Sequence, residues 1–205
     1  MNNFKRQEVL ALIYRLKKVI FFYQLARFLF WFFNQQLVKV ESISEYLKLS
    51  YSGTAFDATA ILYVNAVFIL LSIIPIIINT KKRYQKFLFI WYFVTNGITY
   101  AFNFGDVIYY RFSQARLTSA AFSVAKNESN IGKVFFNAVL QNPFVLISFI
   151  AIIFLWIFFY KKVKVTEEKP KNFITYYTSS VVILCLTELL VVGGIRSDFK
   201  HSTRQ

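Results

Sequence analysis

The 205-residue chain is 57% hydrophobic, 20% aromatic and only 17% charged, with 24 Lys and Arg against 10 Asp and Glu for a net charge of +14. Soluble globular domains run nearer ~45–50% apolar and about 25% charged, and disordered chains lack this density of aromatic and branched side chains, so both classes are excluded. One cysteine, Cys185, rules out an intrachain disulfide, and one histidine, His201, is too few for a His-rich metal centre or a Ser–His–Asp triad.

In chain order, residues 1–18 read as a cytoplasmic amphipathic lead-in, because Val9, Leu10, Leu12, Ile13 and Leu16 recur at helical spacing. A simple extension of the first span is the competing reading. A membrane helix needs about 20 mostly apolar residues. The runs 19–38, 58–78, 87–105, 144–160 and 173–195 meet that need as five predicted spans. The apolar stretches are continuous, not alternating, so they specify helices and not barrel strands. The first run has a long charged lead and no small-residue cleavage site after it, so it reads as a permanent anchor. The connection 106–143 carries the pattern of two amphipathic helices, one through Leu117, Ala120, Ala121 and Val124 and one through Ile131, Val134, Phe135, Ala138 and Val139. Pro143 then opens the fourth span. The expected fold class is all-α, a polytopic membrane protein with amphipathic helices on its outer face, 19–195 forming one membrane domain and 196–205 an extracytoplasmic tail.

Basic residues lie between the apolar runs and not along one polar face, so no nucleic-acid partner is expected. Lys81, Lys82, Arg83 and Lys86 stand between spans two and three, and Lys161, Lys162, Lys164, Lys169 and Lys171 between spans four and five. The alternate segments are leaner in cations. The positive-inside rule therefore places the N-terminus in the cytoplasm and the C-terminus outside, in a multi-pass protein of the cell (cytoplasmic) membrane.

Polar groups inside a membrane are costly and are therefore functional candidates. Arg27, Asn65, Asn96 and Glu188 fall at depths of about 12–22 Å from the cytoplasmic ends of their spans, at ~1.5 Å per residue. An Arg27–Glu188 pair, bridged by an asparagine, would either fix helix register or line a path through the bundle.

Where span three leaves the membrane stands Phe104-Gly105-Asp106-Val107-Ile108-Tyr109-Tyr110-Arg111-Phe112, followed by Arg116. Tyrosine suits head-group depth and arginine offers a planar fork for a phosphate. These residues read as a lipid head-group site, with Arg111, Arg116 and Tyr110 holding the anion and Asp106 orienting an arginine. An aromatic belt with snorkelling arginines gives the same pattern.

The segment 104–112, the Asn-rich third span before it, and the exit Gly193-Gly194-Ile195-Arg196 with Ser202-Thr203-Arg204 resemble the membrane domain of the lipoteichoic acid synthase family, in the alkaline phosphatase/sulfatase superfamily. Ser197-Asp198 replaces the family's usual Gly-Gly after the exit arginine. The resemblance implies five membrane helices followed by an outer catalytic domain. That domain transfers a phosphoglycerol or phosphoethanolamine group from a lipid, using a Thr nucleophile and a divalent metal. It would begin shortly after Arg204. The chain alone is therefore expected to be catalytically silent and to hold no cofactor, as a fragment, a truncated frame or a separate module. Its expected partners are the bilayer, anionic phospholipid head groups, and an extracytoplasmic catalytic domain or a second copy of the chain. The alternative is a small stand-alone membrane protein, such as a transporter or channel subunit or an assembly partner. Of the weaker signals, Asn127-Glu128-Ser129 fits a glycosylation sequon, Asn130 a helix cap, Gly193-Gly194 the end of span five, and Cys185 a small apolar position in mid-span.

Overall fold

The computed structural model describes residues 6–38, 40, 42–74, 77–117, 131–166 and 172–196. Every long regular element among them is an α-helix: α1 (Arg6–Asn34), α2 (Ile43–Ile73), α3 (Lys82–Ser113), α4 (Ile131–Leu140), α5 (Pro143–Lys162) and α6 (Phe173–Arg196), with a 3-10 turn at Ile77–Thr80. The fold class is all-α.

Local chemistry sets the helix ends. Ser42 caps α2, its hydroxyl oxygen accepting the Glu45 N–H at 3.2 Å. Pro143 occupies the first turn of α5, where its missing N–H costs nothing. Gln114 stops α3 in the left-handed conformation, φ 52°, with its N–H on the Tyr110 carbonyl. Glycine does not end α6, which runs through Gly193 and Gly194 to Arg196. α1 is unbroken from Arg6, so the lead-in and the first apolar run are one helix.

Burial follows one stripe per helix. In α3 a buried stripe runs through Leu88, Tyr92, Asn96, Tyr100, Phe104 and Ile108; in α5 the buried positions are Val145, Ile152, Trp156 and Tyr160. Steps of four and seven residues keep each set on one face. α1 packs against α2, α3 and α5; α2 also meets α3 and α6; α4 lies on α5. Trp156 is the hub, stacked on Phe22 at 4.7 Å and donating its indole N–H to the Tyr92 hydroxyl at 2.8 Å. Tyr92 in turn donates to the Arg15 carbonyl at 3.1 Å, so a hydrogen-bonded chain links α5, α3 and α1.

The contacts sort the bundle into two ends. Arg15 meets Gln85 and Tyr160, and Glu8 meets Tyr176, so the segments rich in lysine and arginine gather at one end, here the basic end. Asn34 meets Val107 and Arg111 meets Asn142 at the opposite end.

α2 and α5 are long and apolar enough to cross a membrane. The most apolar stretches of α2 and α5 are 33% and 22% buried in the protein, so most of their apolar surface faces outward. The outer face of α5 exposes Phe144 (76%), Ile147 (61%) and Phe154 (69%). In α6 the shorter stretch Phe173–Thr187 is apolar. α1 and α3, at 29 and 32 residues, are long enough but carry charged flanks and interior Gln, Asn and Thr, which lower their hydropathy. Of the two amphipathic helices expected over 106–143, the second is α4, with Ala138 buried and Lys133 and Asn137 exposed. Of the first, Leu117 lies beyond the end of α3, and Ala120, Ala121 and Val124 lie outside the described residues, as do the sequon, Asn130 and residues 197–205.

Candidate functional site

The polar residues of the opposite end are organised by the reversal after α3. Asp106 lies within α3 and is 7% exposed. Once Gln114 turns the chain back, both oxygens of the Asp106 carboxylate are used. Oδ1 accepts the Leu117 N–H at 2.6 Å and Oδ2 takes the Arg116 Nε at 2.8 Å. The Arg116 guanidinium then lies 4.1 Å from the centre of the Phe30 ring, a cation–π contact. Tyr110 meets the same Phe30 edge-on at 5.1 Å. Asp106, Tyr110 and Arg116 thus converge on one residue of α1. Arg111 sits apart from them. It donates Nη2 to the Phe33 carbonyl at 2.9 Å and Nη1 to the Asn142 side chain, tying the end of α1 to the start of α5.

Arg27 belongs to the same region. It forms an ion pair with Asp57 of α2, at 2.7 Å from Nη2 and 3.3 Å from Nε, and Nη2 also donates to the Gly53 carbonyl at 3.2 Å. Gln24 donates to Asp57 and to Thr54 and accepts from Ser50, completing the network. The carboxylate beside Arg27 is therefore Asp57. The side chain of Glu188, its expected partner, lies outside the described residues. A cavity of about 20 Å³ separates Arg27–Asp57 from Arg116–Asp106, walled also by Tyr23 and Asn103. That is room for a water molecule, not for a phosphate. Any head group must therefore meet these arginines at the surface, where Arg111 is exposed and the Arg116 side chain is 54% exposed.

Asn65 and Asn96 face each other at mid-bundle and are fully buried. Each donates to the other's carbonyl oxygen, at 3.0 and 2.8 Å, and each donates its second N–H four residues back, to Ile61 and Tyr92. Every donor of this amide pair is used.

Burial holds the Asp106 carboxyl above its ordinary value of 3.8, outweighing the Leu117 N–H and the Arg116 charge, which both favour the anion. With its pKa raised by folding, the group contributes stability that is fully present below 3.8 and is lost as pH rises through the folded value. Asp106→Asn cannot titrate. The variant should therefore gain stability relative to the wild type as pH is raised from 3.8, read as the difference in melting temperature in detergent. A difference that stays constant with pH would contradict this account.

Sequence reasoning passed over Asp57, Gly53, Gln24, Asn142 and Asn34. Asn34 is 1% exposed and donates to the Phe30 and Val107 carbonyls, a second tie between α1 and α3. No group of three or more His, Cys, Asp or Glu side chains comes together among the described residues. The chain matches no protein-family model, no curated protein and no solved structure.

Proposed function

We propose that the chain is a five-span membrane module, its basic end in the cytoplasm, that presents anionic lipid head groups at its opposite end to a phospho-group transferase centre. The observation that carries this reading is the pair of surface arginines, Arg111 and Arg116, each held in place by the bundle. Arg111 is fixed by Phe33 and Asn142, and Arg116 by Asp106 and Phe30. A guanidinium has five N–H donors in a planar fork, and these anchors leave donors of both arginines for a phosphate. The broad apolar faces of α2, α5 and α6 support burial in lipid, and the gathering of lysines at one end supports the orientation. The resemblance of 104–112 to the lipoteichoic acid synthase membrane domain supplies the class of chemistry. The transfer itself belongs to an outer domain carrying the nucleophile and metal. The stand-alone transporter reading draws on Arg27, Asn65 and Asn96, which are engaged with Asp57 and with each other.

The test is retention of phosphatidylglycerol by the purified full chain, read by native mass spectrometry. Arg111→Ala with Arg116→Ala should weaken retention roughly tenfold while the melting temperature shows a folded bundle. Undiminished retention in the folded double variant would remove the head-group role.

A further inference from the structure

The basic end holds a second polar feature, unrelated to the arginines at the opposite end. An open cleft of about 580 Å³ lies between the start of α3, the end of α5 and the segment 163–166, with Arg15 of α1 as its inner wall. That volume is within the range of small-molecule sites. Its lining includes Arg15, Lys82, Lys86, Lys161 and Lys164, and no carboxylate among the described residues. Thr166 of the lining is held by Gln7, whose side-chain carbonyl oxygen accepts both the Thr166 N–H at 3.2 Å and the Thr166 hydroxyl at 2.9 Å.

Lysines at the cytoplasmic flank of a membrane helix need no ligand to explain them. Arg15 does, because it is only 4% exposed and has no carboxylate partner among the described residues. Its guanidinium lies 4.3 Å from the centre of the Tyr160 ring, and Nη2 donates to Gln85 Oε1 at 3.0 Å. Gln85 is itself fixed by donating to the Asn79 carbonyl at 2.7 Å, so its amide is oriented to receive the arginine. Nε of Arg15 is buried with no acceptor. A buried cation with an unmet N–H is destabilising unless a counter-charge is supplied. The described residues around it supply a neutral amide, an aromatic face and further cations. An anion is the missing component.

We propose that this cleft binds a phosphate group, with the Arg15 guanidinium as its floor and Lys86 and Lys164 at its rim. The group is either the head-group phosphate of an anionic lipid in the inner leaflet or a soluble phosphate ester. Both present the same charge and the same acceptor oxygens to a planar fork and flanking ammonium groups. Basic pockets between membrane helices take lipid head groups by this chemistry.

The experiment uses the full chain with two probes, glycerol 3-phosphate added in detergent and vesicles of phosphatidylcholine with or without phosphatidylglycerol. Exposed rim lysines are changed in Lys86→Ser with Lys164→Ser. Exposed lysines outside the cleft are changed in Lys17→Ser with Lys162→Ser, which removes equal charge. Arg15→Gln tests the floor. Binding that falls roughly tenfold or more in the rim variant, but not in the control, supports the site. Saturable glycerol 3-phosphate binding identifies a soluble ligand, and binding confined to phosphatidylglycerol vesicles identifies a lipid. Equal losses in the rim and control variants would overturn the proposal, as would no binding of either probe by the wild type. The rim variants leave Arg15 and the core intact, so a misfolded Arg15→Gln protein does not decide the outcome. Failure here leaves the Arg111 and Arg116 test untouched, because that site lies at the other end of the bundle.

Discussion

Asn65→Leu should destabilise the bundle by about 1–3 kcal/mol, and Asn96→Leu by a similar amount, because each leaves the other amide buried with an unmet donor and acceptor. Both asparagines are 0% exposed, and the interhelical bonds of 3.0 and 2.8 Å are reciprocal. The double variant Asn65→Leu, Asn96→Leu removes both polar groups together. It should therefore cost less than the sum of the singles, by a coupling of about 0.6–2 kcal/mol. The lower bound reflects membrane proteins in which an unfolded helix finds other partners for its polar groups. Unfolding of the purified chain in mixed micelles, followed for the wild type and three variants, yields the cycle directly. Additive losses would mean that the two amides do not depend on each other, and that the pair is not what holds α2 to α3 at this depth.

The fold was legible where the apolar pattern was strong and its boundary chemistry local. The run over 144–160 lies inside α5, and Pro143 stands at its start as its missing N–H requires. Less was legible where a helix continues past the apolar run. The second run was read from Ala58, whereas α2 begins at Ile43 behind the Ser42 cap. The signal for the earlier start is Ser42 three residues before Glu45, a capping-box pattern ahead of the apolar run. The third run was read to Gly105, whereas α3 continues to Ser113. A glycine inside a helix weakens it without ending it, and the stop at Gln114 has no strong composition signal.

Those two extensions explain most of what was missed in the candidate site. With α2 starting at Ala58, Asp57 is a loop acid. With α2 starting at Ile43, Asp57 is a mid-helix residue level with Arg27, and the ion pair follows. With α3 ending at Gly105, Asp106, Arg111 and Arg116 read as one surface stretch. With α3 ending at Ser113, the turn at Gln114 brings Arg116 back over Asp106 and sends Arg111 to Phe33 and Asn142. Asn65 and Asn96 stand out in the sequence as polar residues within apolar runs. Their pairing depends on the register between α2 and α3, which no local pattern encodes.

Asp57→Ala should cost about 2 kcal/mol, between the ~1 kcal/mol of an exposed ion pair and the ~3–5 kcal/mol of a buried one, since the Arg27 and Asp57 side chains are 28% and 21% exposed. Asp57→Asn keeps an acceptor for the guanidinium and should cost less. The sharper test is at Gly53. A Cβ built there would overlap the Arg27 guanidinium, which rests directly on the α2 backbone. The helix cannot yield, so the arginine must swing away, giving up the Gly53 carbonyl and straining the bonds to Asp57. Alanine is nevertheless favoured over glycine in a helix interior by about 1 kcal/mol. Gly53→Ala should therefore destabilise the wild type, yet stabilise a background in which Arg27→Ala and Asp57→Ala have already removed the pair. The reversal of sign, measured as the change in unfolding free energy in the two backgrounds, isolates the contact from the helix propensity. A stabilising Gly53→Ala in both would show that Arg27 does not lie against α2, and the polar network joining α1 to α2 would lose its anchor.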